Sequence, residues 1–262
     1  MLFRSVAIAG MGGIGGIDAV TLARMGVGRF TIADPDTFDV ANTNRQYGAA
    51  ASTLDQPKAE VMAAMVRDIN PDADVRVLPE PVNEENVDEF LADADLFIDA
   101  IEVFNIAPRR LLFARAAGQG IYGITAGPVG FSGVWLVFDP RGMSFDRYFD
   151  LRDGMSDTEM VASFIIGVAP KATHRGYTDL KYIDVNARTG PSCSLACQLA
   201  SGALACEALK TLLNRGRLRA APWYNQFDPY VGRFIQRRLL GGNRHPVQRL
   251  KKRLLLKYIT ES

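Results

Sequence analysis

The sequence predicts a doubly wound α/β fold: a mainly parallel sheet with helices on both faces, an antiparallel extension and a C-terminal helical tail. Three observations carry this. Short apolar runs alternate with helical patterns over residues 1–138. A glycine-rich turn joins the first run to the first helical pattern. After Asp139 the alternation stops, giving way to a glycine-punctuated stretch, a long small-residue helix and a hairpin. Strand and helix in alternation require crossover connections, and crossovers give parallel strands buried on both faces.

The elements follow in order. Val6 to Ala9 reads as strand one, Ile14 to Met25 as a helix and Phe30 to Asp34 as strand two. Pro57 to Ile69 has helical spacing, with Val61, Met62, Met65, Val66 and Ile69 on one side. Val75 to Leu78 is a third strand, Val87 to Leu91 a short helix and Leu96 to Asp99 a fourth strand. Ala107 to Ala117 is helical, Ile121 to Thr125 a fifth strand and Val134 to Phe138 another. Residues 140–190 are mixed and broken by Gly142, Gly154, Gly167, Pro170 and Gly176. The small residues Ala196, Ala200, Ser201, Gly202, Ala203 and Ala205 mark a central or interface helix from about Cys193 to Asn214. Trp223 to Phe227 and Val231 to Ile235 flank Asp228-Pro229-Tyr230 as a hairpin, and a basic helical tail begins at Pro246. Leu250, Leu254, Leu255 and Tyr258 are expected to give that helix one apolar face. The whole of 1–262 reads as one domain: a nucleotide-binding core to residue 138, an excursion over 139–190, and a helix, hairpin and tail over 191–262.

Composition excludes little but bounds the class. Apolar residues make up 48% of the 262 and charged residues 23%, an ordinary globular balance with ample core material. Thirty basic against 29 acidic residues leave a net charge of +1, so global charge selects no partner. The N-terminal apolar run superficially suggests a leader, but the glycine turn follows at once, which makes it a buried strand. No stretch reaches the roughly 18 apolar residues that span a bilayer, and a cytoplasmic location is expected. Cys193, Cys197 and Cys206 fall on one helix and read as small packing residues. His174 and His245 read as loop histidines, with an acid–base role at the substrate open to His174. Trp135, Trp223 and Tyr224 read as core or interface aromatics.

Gly10-Met11-Gly12-Gly13-Ile14-Gly15 closes strand one and opens a helix. Gly10 and Gly12 let the backbone turn tightly and approach a phosphate, and Gly15 lets helix and strand pack closely. The helix start adds free N–H groups and a positive dipole. Asp34 ends strand two at about the 20-residue spacing where a carboxylate meets a ribose hydroxyl. Together these read as a Rossmann-like nucleotide site. The turn alone does not separate ATP from NAD. A triphosphate demands cations as well, and Arg45 and Lys58 follow near the predicted strand ends, with Asp99 placed to hold Mg²⁺. A nicotinamide-dependent oxidoreductase is the alternative that makes no joint use of those three residues.

The motifs, as a set, resemble the MoeB/ThiF/E1 (ubiquitin-activating-enzyme-like) superfamily: GMGGIG at 10–15, DPD at 34–36, NTNRQ at 42–46, QPK at 56–58, NP at 70–71 and LFIDA at 96–100. The resemblance implies ATP-dependent adenylylation of a carboxylate, with ATP and Mg²⁺ as cofactors and a homodimer as the working species. It implies that Asp34, with Asp36 beside it, lies at the ribose. Asn42 and Arg45 would contact the phosphates with Gln46 in support, Lys58 would stabilise charge at the α-phosphate, and Asp99 would coordinate Mg²⁺. Arg45, Lys58 and Asp99 are thus the catalytic candidates.

Departures from the pattern qualify the likeness. Many relatives carry two Cys-x-x-Cys pairs; this chain has none, and no zinc is expected. Residues 100–192 hold no cysteine for a thioester relay. Dimeric relatives donate an arginine from an N-terminal helix; here either Arg4 or an arginine of the excursion takes that part, or ATP turnover is impaired. The family's Asp-x-x-Asp reads Asp99-Ala-Ile-Glu102. The NTNRQ spelling is similar to the tRNA threonylcarbamoyladenosine dehydratase branch, and the basic tail suits phosphate contacts. The acceptor stays open among a small carrier protein's C-terminus, a peptide and a modified tRNA base. A non-catalytic partner subunit is the remaining reading.

Overall fold

A computed structural model describes residues 2–179 and 190–261, so the end of the expected excursion, 180–189, lies outside the described residues. Eight strands form one sheet in the order β3-β2-β1-β4-β5-β6-β7-β8. They are β1 (Ser5–Ala9), β2 (Arg29–Ala33), β3 (Asp74–Leu78), β4 (Leu96–Asp99), β5 (Tyr122–Val129), β6 (Ser132–Phe138), β7 (Trp223–Asp228) and β8 (Arg233–Arg238). The first five pair in parallel, and β6, β7 and β8 continue antiparallel. This is the predicted mainly parallel sheet with an antiparallel extension.

Side chains alternate between the two faces with the period of a strand. Val6 and Ile8 of β1, with Leu96 and Ile98 of β4, join one core; Ala7 and Phe97 join the other. The register places Val6 beside Leu96 and Ile8 beside Ile98, so each layer is continuous across strands. The first face is covered by α1 (Gly15–Arg24), α2 (Lys58–Ile69) and α7 (Ser194–Leu213). The second is covered by α3 (Val87–Leu91), α4 (Ile106–Gly118), α5 (Phe145–Phe149) and α6 (Asp157–Val168). Helix α8 (Pro246–Glu261) packs on α6.

Helices α5 and α6 fill the stretch that reads as irregular in sequence. Ser144 and Ser156 cap them, and Ser156 with Glu159 forms a reciprocal capping box. Aromatic contacts fix α5 to the sheet layer: Phe145 stacks on Phe113 with centroids 4.4 Å apart, and Phe113 meets Phe97 edge-on at 5.2 Å. On the other face α7 lies very close to the sheet. A Cβ at Gly133 of β6 would fall 2.7 Å from the Ala200 backbone nitrogen, so glycine there permits the approach.

Three expectations are revised. The apolar residues of α8 divide: Leu255 and Tyr258 line a cavity at the strand ends, whereas Leu250 and Leu254 are 57% and 60% exposed. Of the cysteines only Cys197 is buried; Cys193 is half-buried and Cys206 exposed, because the start and outer face of α7 are uncovered. The second hairpin strand begins at Arg233, beyond the expected Val231, because Pro229 to Gly232 form the turn. No helix among the described residues is long and apolar enough to cross a membrane.

Candidate functional site

The sheet reverses its winding between β1 and β4, and the ends of those strands open on a cavity of about 760 Å³. An open α/β sheet binds ligands in this crevice. The glycine turn forms its floor. Gly10 has φ +95°, in the region that favours glycine, and a Cβ there would stand 2.4 Å from the Ala100 carbonyl oxygen. At Gly15 a Cβ would lie 1.8 Å from the Gly10 oxygen, which fixes α1 against β1. Gly12 differs: the nearest atom to its Cβ would be Gln46 Nε2 at 3.6 Å, so its bare backbone faces the cavity. Gly13 lies against α7, where Cys197 Sγ would be 2.9 Å from a Cβ. Burial pushes the Cys197 thiol up to about 11, so it is a neutral wall residue rather than a nucleophile.

Asp34 follows β2 and locks the turn. Its Oδ2 accepts the Met11 N–H at 2.6 Å and its Oδ1 accepts the Asp36 N–H at 2.9 Å. Burial raises its pKa, against the lowering effect of those two bonds. Lys58 opens α2 with its Nζ 3.1 Å from Asp36 Oδ2; the lysine side chain is 7% exposed and the aspartate 67%. A cation so enclosed is held where the cavity, not solvent, is its other neighbour. Asn42 Oδ1 accepts the Asp39 N–H, which shapes the short turn leading to Arg45. Arg45 donates through one Nη to Ala41 O and Asn44 Oδ1, at 3.0 and 2.9 Å. Gln46 is buried, and its Oε1 has no hydrogen-bond partner among the described residues. A buried acceptor without a donor is uncommon and marks a place where a ligand donor fits.

Gly10, Gly12, Gly13, Asp34, Asp36, Asn42, Arg45, Gln46 and Lys58 therefore all line one cavity, while Gly15 lies behind it as a packing residue. Asp99 does not line it. Its carboxylate is fully buried and both oxygens take the Arg109 Nε, at 3.0 and 2.9 Å. The expected Mg²⁺ ligand is thus turned into the protein by Arg109 of α4, ten residues further along the chain. The acidic residue that the loop after β4 adds to the cavity wall, beside Asp34, Asp36 and Glu80, is Glu102, whose Oε2 accepts the Phe104 N–H at 2.9 Å. Its signal in sequence is the second acidic position of the Asp-x-x-Glu motif. Arg4 pairs with Asp95 at 2.8 Å and is not among the cavity residues.

The far walls come from parts the motifs do not mark. Phe164, Ile165 and Val168 of α6 and Leu255 and Ile259 of α8 line the cavity. The capping pattern Ser156 to Glu159 is a legible sequence signal for α6; α8's inward face has none. His174, expected as a loop residue, also lines the cavity. Its Nδ1 is buried without a hydrogen-bond partner among the described residues, and burial lowers its pKa to about 4, so the imidazole is neutral at pH 7. The segment carrying it is tied to the sheet through Asp228, which accepts Thr173 Oγ1 and Tyr177 Oη at 2.6 and 3.1 Å.

The family model described as ThiF family matches residues 2–249. The chain is 43% identical over 97 residues to the tRNA threonylcarbamoyladenosine dehydratase of Bacillus subtilis (strain 168), covering 37% of this chain and 38% of that protein. It is 32% identical over 140 residues to the sulfur carrier protein ThiS adenylyltransferase of Escherichia coli (strain K12), covering 53% and 55%. The chain spans about half the length, or less, of these curated relatives. Among solved structures, E. coli MccB with ATP superposes with a TM-score of 0.68 at 18% identity, over 92% of this chain and 64% of that one. The E. coli tRNA N6-threonylcarbamoyladenosine dehydratase superposes with a TM-score of 0.58 at 23% identity, over 81% and 88%. Both show a shared fold.

Proposed function

The chain belongs to the ThiF family, and on that premise we propose that it binds ATP in this cavity and activates a carboxylate as its acyl-adenylate. The observation that carries the proposal is the meeting of the open Gly12 backbone, Arg45, Lys58 and the partnerless Gln46 Oε1 in one cavity.

Each residue has a chemical part. The turn's N–H groups and the start of α1 offer donors and positive potential to phosphate oxygens. Asp34 accepts from a ribose hydroxyl beside the bonds it already takes. Arg45 and Lys58 neutralise the β- and γ-phosphates, and Lys58 stabilises charge that builds at the α-phosphate. The carboxylate oxygen of the substrate bonds to the α-phosphorus, the bond to the bridging oxygen breaks, and pyrophosphate leaves. Positioning and charge neutralisation suffice, so no protein nucleophile takes part.

Mg²⁺ characteristically binds through one or two carboxylates plus substrate phosphates, and it supplies charge neutralisation there. The donor set fits that habit: no cluster of three or more acidic, His or Cys residues stands ready to hold a metal among the described residues, but Glu102 faces the cavity. We therefore give the metal-binding part to Glu102 and the part of positioning the loop after β4 to Asp99. Two relatives are named for a sulfur carrier protein and for a tRNA base, so a carrier C-terminus, a peptide and a modified tRNA base are the acceptors considered. A homodimer is the proposed species, supported by the apolar, partly exposed outer face of α7, where Leu195 is 53% exposed. A nicotinamide site held by backbone N–H groups has no use for two cations beside the turn, which disfavours the oxidoreductase reading.

The test is exchange of labelled pyrophosphate into ATP with Mg²⁺ and candidate carboxylates. Exchange that disappears in Lys58→Ala and Arg45→Ala supports the reading. Reduction of NAD without exchange would replace it.

A further inference from the structure

The topology separates two ends of the cavity. The nucleoside end lies over β2 and β3, where Asp34 closes β2 and Val82 follows β3. The glycine turn after β1 occupies the middle. The other end lies over β5 and β6, and its outer wall is made by α6, which packs on β6, and by α8, which packs on α6. In-line attack at the α-phosphorus puts the reacting carboxylate opposite the leaving pyrophosphate, which the adenylylation reading sets against Arg45 and Lys58 beyond β2, so the carboxylate stands on the side toward β5 and β6. The body of the substrate therefore meets the α6–α8 wall.

That wall has a definite chemistry. Phe164, Ile165 and Val168 from α6 and Leu255 and Ile259 from α8 offer no hydrogen-bond donors or acceptors from their side chains. One charge stands among them, Arg109, and its guanidinium is committed elsewhere. Nε serves Asp99, Nη1 donates to Val103 O, Nη2 donates to Ile101 O, and its Cζ lies 4.4 Å from the centre of the Phe164 ring. The wall is also held in place: Gln248 Nε2 donates to Ile166 O and Lys251 Nζ to Pro170 O, pinning α8 to the end of α6. The polar groups that line this end, Tyr258, Thr178 and the neutral His174, carry no charge, so a substrate body with a second carboxylate loses its water and meets no uncommitted cation on this wall among the described residues, whereas an apolar one loses nothing of that kind.

Building on the adenylylation reading, we infer that the carboxylate acted on carries a branched or aromatic apolar body next to its carboxyl group, and that the α6–α8 wall selects it. A slender polar tail leaves the wall wet, and a second charge is rejected. The residues that set this choice are Ile165 and Ile259, each half-buried and facing the cavity.

The experiment uses the full chain with three probes: 4-methylpentanoate, glutarate of similar length, and glycylglycine. ATP binding is measured by titration calorimetry, and activation by pyrophosphate exchange. The expected result is a KM for 4-methylpentanoate at least about tenfold below that of the other two, in the range one or two buried methylene groups provide. Ile259→Lys and Ile165→Glu should each reduce or invert that preference while leaving ATP affinity within about twofold, with far-ultraviolet circular dichroism and a cooperative thermal melt reporting that each variant is folded. Equal KM values, or preference for glutarate or glycylglycine, overturn the inference. So does loss of ATP affinity in either folded variant, which would put the adenine against this wall. ATP binding with no exchange from the apolar acid overturns it while leaving the nucleotide site in place. Failure of the unaltered protein to bind ATP removes the underlying reading itself.

Discussion

Arg109 Nε lies 3.0 and 2.9 Å from the two carboxylate oxygens of Asp99, and the two side chains are 4% and 0% exposed. The pair joins the end of β4 to α4 and fixes the loop that presents Glu102 to the cavity. Removing one partner of a buried pair strands the other charge, a loss of roughly 3–5 kcal/mol. Asp99→Ala should lower unfolding free energy by about that amount in urea titration. Glu102→Gln should leave the unfolding midpoint nearly unchanged but raise the Mg²⁺ concentration needed for exchange. Equal effects of the two substitutions on stability would refute this division of labour.

The glycines divide in the same way. At Gly15 an added methyl meets the Gly10 carbonyl at 1.8 Å, with no flexible side chain to yield. Gly15→Ala should cost at least the roughly 1–3 kcal/mol of ordinary overpacking. At Gly12 the nearest atom is 3.6 Å away, at the end of a glutamine. Gly12→Ala should fold with near-native stability and bind ATP at least tenfold more weakly, because the methyl fills the phosphate approach. Thermal melts and calorimetric titration on the two variants check both halves.

Lys58 stands at the cavity edge with Asp36 as its partner. Lys58→Ala should reduce exchange by roughly 10²–10³, the scale seen for loss of one preorganised electrostatic group. Asp36→Asn should have a much smaller effect, since Asp36 is mostly solvated and its pull on Lys58 is screened. A larger loss from Asp36→Asn than from Lys58→Ala would contradict the assignment.

Asp18, buried, and His174, half-buried, give opposite pH signatures. Asp18 is fully buried in α1, and burial raises its pKa well above the usual range against the lowering effect of the Ser201 hydroxyl. The folded chain then holds a proton that the unfolded chain releases, so stability falls as pH rises from about 4 toward that raised value. Asp18→Asn should flatten this slope. His174 behaves conversely: its pKa is lowered to about 4 by burial, so the unfolded chain takes up the proton first. Stability should fall as pH drops from about 6.5 to about 4, and His174→Gln should remove that loss. Denaturation curves at stepped pH separate the two.

The segment that carries His174 depends on Asp228. Both Thr173 and Tyr177 donate to one of its oxygens, and burial first, with the Asp228 bond also contributing, raises the Tyr177 pKa to about 12. Asp228→Ala should increase amide exchange of residues 173–178 while the exchange of β1 and β4 stays slow. Protection unchanged at 173–178 would show that Asp228 is not the anchor.

The sequence by itself determined the strands and helices of the first 138 residues, the glycine turn, and the cavity-lining set from Asp34 to Lys58. Those features are local. A period of two or 3.6, a positive φ at Gly10 and a helix start after a strand are written in consecutive residues. Tertiary structure decided the rest. Asp99 and Glu102 are three residues apart and chemically alike, and only the arrival of Arg109 from α4 turns one inward and leaves the other at the cavity. Likewise Leu250, Leu254 and Leu255 are equally apolar in sequence. Which of them faces solvent and which walls the site depends on where α6 lies, and α6 is held by packing of its Phe164 on Phe149 and Phe145 of α5. Partners distant along the chain choose between chemically equivalent side chains, and no local pattern records that choice.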